Sequence, residues 1–142
     1  MELDASVSLS FNGECEAAFT VYARLLGAKP ELVITWGASP FAGEVPKTWH
    51  GKMLFARLRG PKMTLLGADA LPGTYRAPTG FNLCLSTADE PEAERFFAEL
   101  ADGGTVRMAL QPTFWSARYG EVIDRFGIPW EINCRKQHGS DG

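Results

Sequence analysis

Apolar and polar side chains alternate every second residue over much of the chain, and two stretches break into a three-to-four-residue rhythm. Over 5–11, Val7, Leu9 and Phe11 alternate with Ser6, Ser8 and Ser10, as in a strand with one buried side. Asn12 and Gly13 interrupt it. Over 14–26, Ala18, Val21, Tyr22, Leu25 and Leu26 fall at helical spacing, with Gly27 as a C-terminal stop. An apolar, β-branched run at 31–36 predicts a strand. A loop at 39–48 follows, and strands at 53–58 and 63–66 flank the turn Arg59-Gly60-Pro61.

The same order recurs later. Phe81, Leu83 and Leu85 alternate with Asn82, Cys84 and Ser86 over 81–86. A helix with an acidic first turn and Pro91 near its start covers 89–100 and stops at Asp102-Gly103-Gly104. Strands are predicted at 105–110, 117–124 and 128–134, with Asp69 and Asp124 as turn formers at strand ends. The chain therefore reads as two βαβββ halves, 5–68 and 79–135, joined by a linker at 71–78 and followed by a flexible tail at 136–142. Counting from Gly60 and Gly127, taken as equivalent turns, pairs Thr64 with Glu131. Matching the first strands pairs Ser8 with Asn82.

Parity places an apolar side on each sheet, suited to burial under the amphipathic helix. The opposite side carries small polar groups and the carboxylate of Glu131. Such a face suits the wall of a partly enclosed site for an oxygen-bearing ligand, and equally a plain exposed sheet face, although Lys and Glu are commoner on the latter. By the same parity Arg118 is expected beside Glu131, paired with it or free to bind an anion.

Composition narrows the alternatives. With 142 residues, 45% hydrophobic, the chain is long enough for a single α+β domain, 1–142, with its own core. A formal charge of −3, with no basic cluster in the sequence, argues against nucleic acid or an anionic membrane as partner. The opening MELDASVSLSF lacks a basic leader segment and no apolar run is long enough to span a bilayer, so a cytoplasmic protein is expected. Cys15, Cys84 and Cys134 are too widely spaced for a zinc motif or a disulfide framework. His50 and His138 are the only histidines, which disfavours Cys/His hydrolysis.

The strings FNGECEAAFTVYARLLGA, WHGKMLFARLRGPKMTLLGAD and, above all, GGTVRMALQPTFWSARYGEVIDRFGIPWEINC resemble the PhnB-like, 3-demethylubiquinone methyltransferase-like branch of the vicinal-oxygen-chelate superfamily, which also holds glyoxalases, bleomycin-resistance proteins and dioxygenases. The resemblance runs from about residue 5 to 135. It implies a glyoxalase-like curved mixed sheet around a cavity and a homodimer. It also implies a small-molecule ligand in a cup between the halves, ring-containing or oxygen-bearing.

In metal-dependent members one residue from the first and last strand of each half binds a divalent ion. Carried over by the repeat, these places are Ser8, Thr64, Asn82 and Glu131, of which only Glu131 matches the pattern. One carboxylate with two hydroxyls and an amide is a poor donor set, so a divalent metal is disfavoured. A metal-assisted lyase, isomerase or transferase using Glu131 is the alternative to simple binding. His50 matches a histidine common in the PhnB-like pattern and is a candidate acid/base partner for Glu131, against the plainer expectation of a hydrogen bond to backbone. Trp115 and Tyr119, with Trp49 and Phe114, are candidates for aromatic ligand contact or for packing. No glycine-rich nucleotide loop accompanies the methyltransferase label.

Overall fold

In the computed structural model, residues 2–137 are described. The end of the expected tail, with His138, lies outside the described residues. The chain divides into two compact units, residues 1–76 and 77–142, matching the two halves of the sequence repeat. Among the described residues, no helix is long and apolar enough to cross a membrane.

The first unit contains β1 (Val7–Phe11), α1 (Cys15–Leu26), β2 (Lys29–Thr35), β3 (Met53–Arg59) and β4 (Thr64–Asp69). The second contains β5 (Leu83–Thr87), α2 (Glu90–Ala101), β6 (Thr105–Gln111), β7 (Arg118–Ile123) and β8 (Pro129–Cys134). The sheet orders are β1-β4-β3-β2 and β5-β8-β7-β6. In each, the first and last strands run parallel and the remaining neighbours antiparallel. The fold is α+β, two tandem βαβββ modules. Every predicted element is present, with ends displaced by at most three residues.

Each helix covers the apolar side of its own sheet. In the first unit Cys15, Ala18, Phe19, Tyr22 and Leu25 are buried with Leu9, Phe11, Ala56, Leu58 and Leu65. Phe19 meets Phe11 edge to face at 5.9 Å. Gly67 lies directly beneath Phe19, where a Cβ would come within 2.6 Å of the ring. In the second unit Ala93, Phe96 and Leu100 are buried with Val122, Trp130 and Ile132.

Two aspartates hold these modules together differently. Asp124 is the turn former expected. Its Oδ1 accepts from Phe126 N and Ile128 N, and its Oδ2 from Trp130 Nε1 at 2.9 Å, closing the β7–β8 hairpin. Asp69 is instead buried at the end of β4, and the expected turn role is corrected. Its Oδ1 accepts Cys15 N at the first turn of α1, where Glu14 supplies no side-chain cap, and its Oδ2 accepts Met53 N. A helix start leaves amide donors without partners, and this carboxylate satisfies one from a distant strand.

The strand registers displace the internal correspondence by two residues. Ser8 lies beside Leu66 in the first module, and Cys84 beside Glu131 in the second. The structural counterparts are therefore Ser8 with Cys84 and Leu66 with Glu131, not Ser8 with Asn82 and Thr64 with Glu131. For Thr64 the physical reason is that the two glycines sit at different places in their turns, and for Ser8 it is that alternation alone fits a strand equally well two residues along. Gly60 directly follows the paired Arg59, whereas Gly127 sits late in a longer turn, at φ 92°, between the paired Ile123 and Pro129.

Candidate functional site

The polar side of the second module gathers the most chemistry. Glu121 stands directly opposite Glu131 in the antiparallel β7–β8 pair, and Tyr119 stands opposite Asn133. Because side chains alternate along each strand, Tyr119, Glu121, Glu131 and Asn133 share one side with Cys84 and Ser86 of β5. Val122, Trp130 and Ile132 take the other, beneath α2.

Parity also corrects the reading of Arg118. It pairs with Cys134, on the helix side, so it does not meet Glu131. Its guanidinium bridges two helix carboxylates, Nε to Glu90 Oε1 at 3.2 Å and a terminal nitrogen to Glu94 Oε1 at 3.1 Å. Glu90 and Glu94 are four residues apart and therefore neighbours on the helix surface. Arg118 ties α2 to the sheet.

At the centre of the polar side is the Tyr119 hydroxyl, 2.8 Å from Glu131 Oε2 and 3.0 Å from Glu121 Oε2. A phenol has one proton to donate, so the two carboxylates compete for it. Burial first, then these hydrogen bonds and the two negative charges, push the Tyr119 pKa above its ordinary value of 10.0. The phenol stays protonated through neutral pH and acts as a fixed donor. Arg107 of β6 reaches Glu121 at 3.8 Å. Asn133 Oδ1 accepts the hydroxyl of the buried Ser116. Ser116 N in turn bonds Thr113 Oγ1, fixing the short loop before β7.

That loop presents a row of rings. Phe114 meets Trp115 at 4.7 Å and Trp115 meets Tyr119 at 5.3 Å, both edge to face. Tyr119 is buried, Trp115 is 50% exposed and Phe114 is 87% exposed, so the row climbs from the carboxylates to solvent. Large rings left half in water beside half-buried acceptors form a surface with both flat apolar contact and directional polar contact.

The remaining expected residues lie elsewhere. Asn82 precedes β5 and its Oδ1 is buried without a hydrogen-bond partner among the described residues, an acceptor suited to a donor from a ligand. Ser8 is exposed on β1, and Thr64 begins β4 opposite Arg59. His50 lies in the loop before β3, where its Nε2 donates to Ala42 O at 2.8 Å and its carbonyl accepts Gly37 N. The ring thus locks a loop, in line with the plainer of the two expectations. Trp49 donates its indole N–H to Ala70 O.

Glu121, Arg107 and Asn133 were not anticipated as a cluster. The available signal was that Tyr119, Glu121 and Ile123 share a parity, but only the register against Glu131 turns that into a site.

The corrected register also tests the donor set for a divalent metal. The four corresponding places are Ser8, Leu66, Cys84 and Glu131, and Leu66 has no donor atom. Among the described residues, no three His, Cys, Asp or Glu side chains converge. These residues do not fit a divalent ion.

Comparison with known proteins agrees with the architecture. A sequence profile described as 3-demethylubiquinone-9 3-methyltransferase matches residues 4–133. Protein YjdN of Escherichia coli (strain K12) is 36% identical over 137 residues, covering 91% of this chain and 93% of YjdN. The crystal structure of protein PA1353 from Pseudomonas aeruginosa is 38% identical, with a TM-score of 0.86, over 96% of this chain and 100% of that one. The PhnB protein from Bacillus cereus shares the fold at 19% identity and a TM-score of 0.80, over 93% of this chain and 99% of that one. In fold the chain is also similar to a glyoxylase/bleomycin resistance protein/dioxygenase domain from Frankia sp. EAN1pec, and by its sequence it belongs to the family described as 3-demethylubiquinone-9 3-methyltransferase.

Proposed function

We propose that this protein binds a small, ring-containing molecule bearing hydroxyl or other hydrogen-bond donors, on the polar side of its second module. The observation that carries this reading is the Tyr119 hydroxyl held between Glu131 and Glu121, next to the half-exposed ring of Trp115. Each carboxylate keeps oxygen lone pairs beyond those Tyr119 engages, and these accept donors from a ligand. Trp115 supplies a flat wall against its ring. Glu131 serves as an acceptor in this reading, and no covalent step or metal is required.

Tryptophan fluorescence tests the reading. Trp36 and Trp130 are buried and Trp49 belongs to the first module, its indole N–H held by Ala70 O, so Trp115 is the indole placed to report contact at the aromatic row. Titration with phenol, catechol and hydroxylated bicyclic rings should give saturable quenching for at least one compound, abolished in Trp115→Leu. Quenching that is absent for all of them, or unaltered in Trp115→Leu, would count against the site.

A further inference from the structure

The polar side of the first module has a different character. We infer that it is a binding site for a small organic oxyanion, a carboxylate or a phosphate monoester. This inference is independent of the ligand proposed for the second module.

In the sheet register Arg57 lies opposite Leu66, Arg59 opposite Thr64, and Leu66 beside Ser8, so these side chains emerge on one side. A hollow of about 590 Å3 opens there, bordered by Arg57, Arg59 and Lys62, with Ser6 and Thr64 supplying hydroxyls. Asp4 is the acid in its lining. Three cations around one hollow are notable in a chain of net charge −3. Strand geometry sets the two arginines about 7 Å apart along β3, so both forks can address one anion. Arg57 is held against the Phe55 ring, 5.9 Å from its centroid. Pro61, Met63 and Leu66 add apolar wall for a carbon body.

An internal carboxylate already engages the pair. Glu31 falls where the β2–β3 register shifts, between Pro30 and Leu32, and is the extra residue of a bulge. Its carboxylate contacts Arg57 Nη1 at 3.8 Å and also Arg59 Nε. These side chains are 32% (Arg57), 58% (Arg59) and 42% (Glu31) exposed, and such ion pairs in water contribute little stability. Glu31 can therefore be exchanged for a ligand's anion, and acts as its competitor.

Calorimetric titration of the full chain with phenyl phosphate, benzoate and inorganic phosphate tests this. Phenyl phosphate or benzoate should bind saturably, and more weakly as salt is added. Removing the competitor in Glu31→Gln should tighten binding several-fold. Arg57→Ala with Arg59→Ala should weaken it by about tenfold or more, and Lys62→Ala, in the exposed turn, should weaken it without touching the sheet. Tighter binding of phenyl phosphate than benzoate assigns a phosphate monoester, and the reverse a carboxylate. Wild-type affinity in the double arginine variant, or no saturable binding of any probe by the Glu31→Gln protein, would overturn the site.

Discussion

Replacing Asp124 with Ala is expected to destabilise the second module by about 4 kcal/mol, because three donors, two of them backbone amides, lose their acceptor inside the protein. Asp124 is 5% exposed and Trp130 1% exposed, so water cannot readily replace the carboxylate. Asp124→Asn should cost less. Its Oδ1 can still accept from Phe126 N and Ile128 N, while its amide nitrogen would face the Trp130 indole N–H, donor against donor. Urea unfolding followed by Trp130 fluorescence gives the ordering wild type, Asn, Ala. The same change should disturb the site, because this turn sets the register that puts Glu121 opposite Glu131. An Ala variant as stable as wild type would show that the carboxylate is not what closes the hairpin.

The second large effect concerns Glu131 and moves stability and binding in opposite senses. Directly opposed like charges on neighbouring strands are unfavourable by a few tenths to about 1 kcal/mol, and Glu121 and Glu131 are such a pair. Glu131→Gln keeps the shape and leaves an oxygen to accept the Tyr119 proton, so stability should hold or rise by about 0.5 kcal/mol. Binding of a hydroxylated ring should fall by about tenfold or more, since a charged acceptor is exchanged for a neutral one. Denaturation and fluorescence titration of one preparation measure both. Loss of stability alongside loss of binding would make Glu131 a structural residue.

Burial accounts for how much of this was legible in the sequence. Alternation in 5–11 and the helical spacing of Ala18, Tyr22 and Leu25 report the buried side directly, so the two modules and their order could be read without coordinates. Pairing between strands leaves no comparable trace. Gly60 and Gly127 look alike in sequence, yet one follows its strand immediately and the other closes a longer turn, and counting from them shifted Thr64 by two places, while the like alternation of the first strands allowed Ser8 to slip by two places onto Asn82. One residue of parity likewise moved Arg118 from the imagined site to Glu90 and Glu94 on α2. Asp69 looked like any strand-end aspartate, because its partners Cys15 N and Met53 N are backbone groups and carry no sequence signature. The Tyr119–Glu121–Glu131 cluster needed the register for the same reason.

The most direct test of the ligand site is NMR chemical-shift mapping on isotope-labelled protein with the tightest fluorescence binder. The predicted result is that the largest shifts fall on the Trp115 indole N–H, the Asn133 side-chain amide and the Tyr119 and Glu131 backbone amides. Shifts confined to residues on the α2 side of that sheet, or to the Arg57–Arg59 face, would contradict the account.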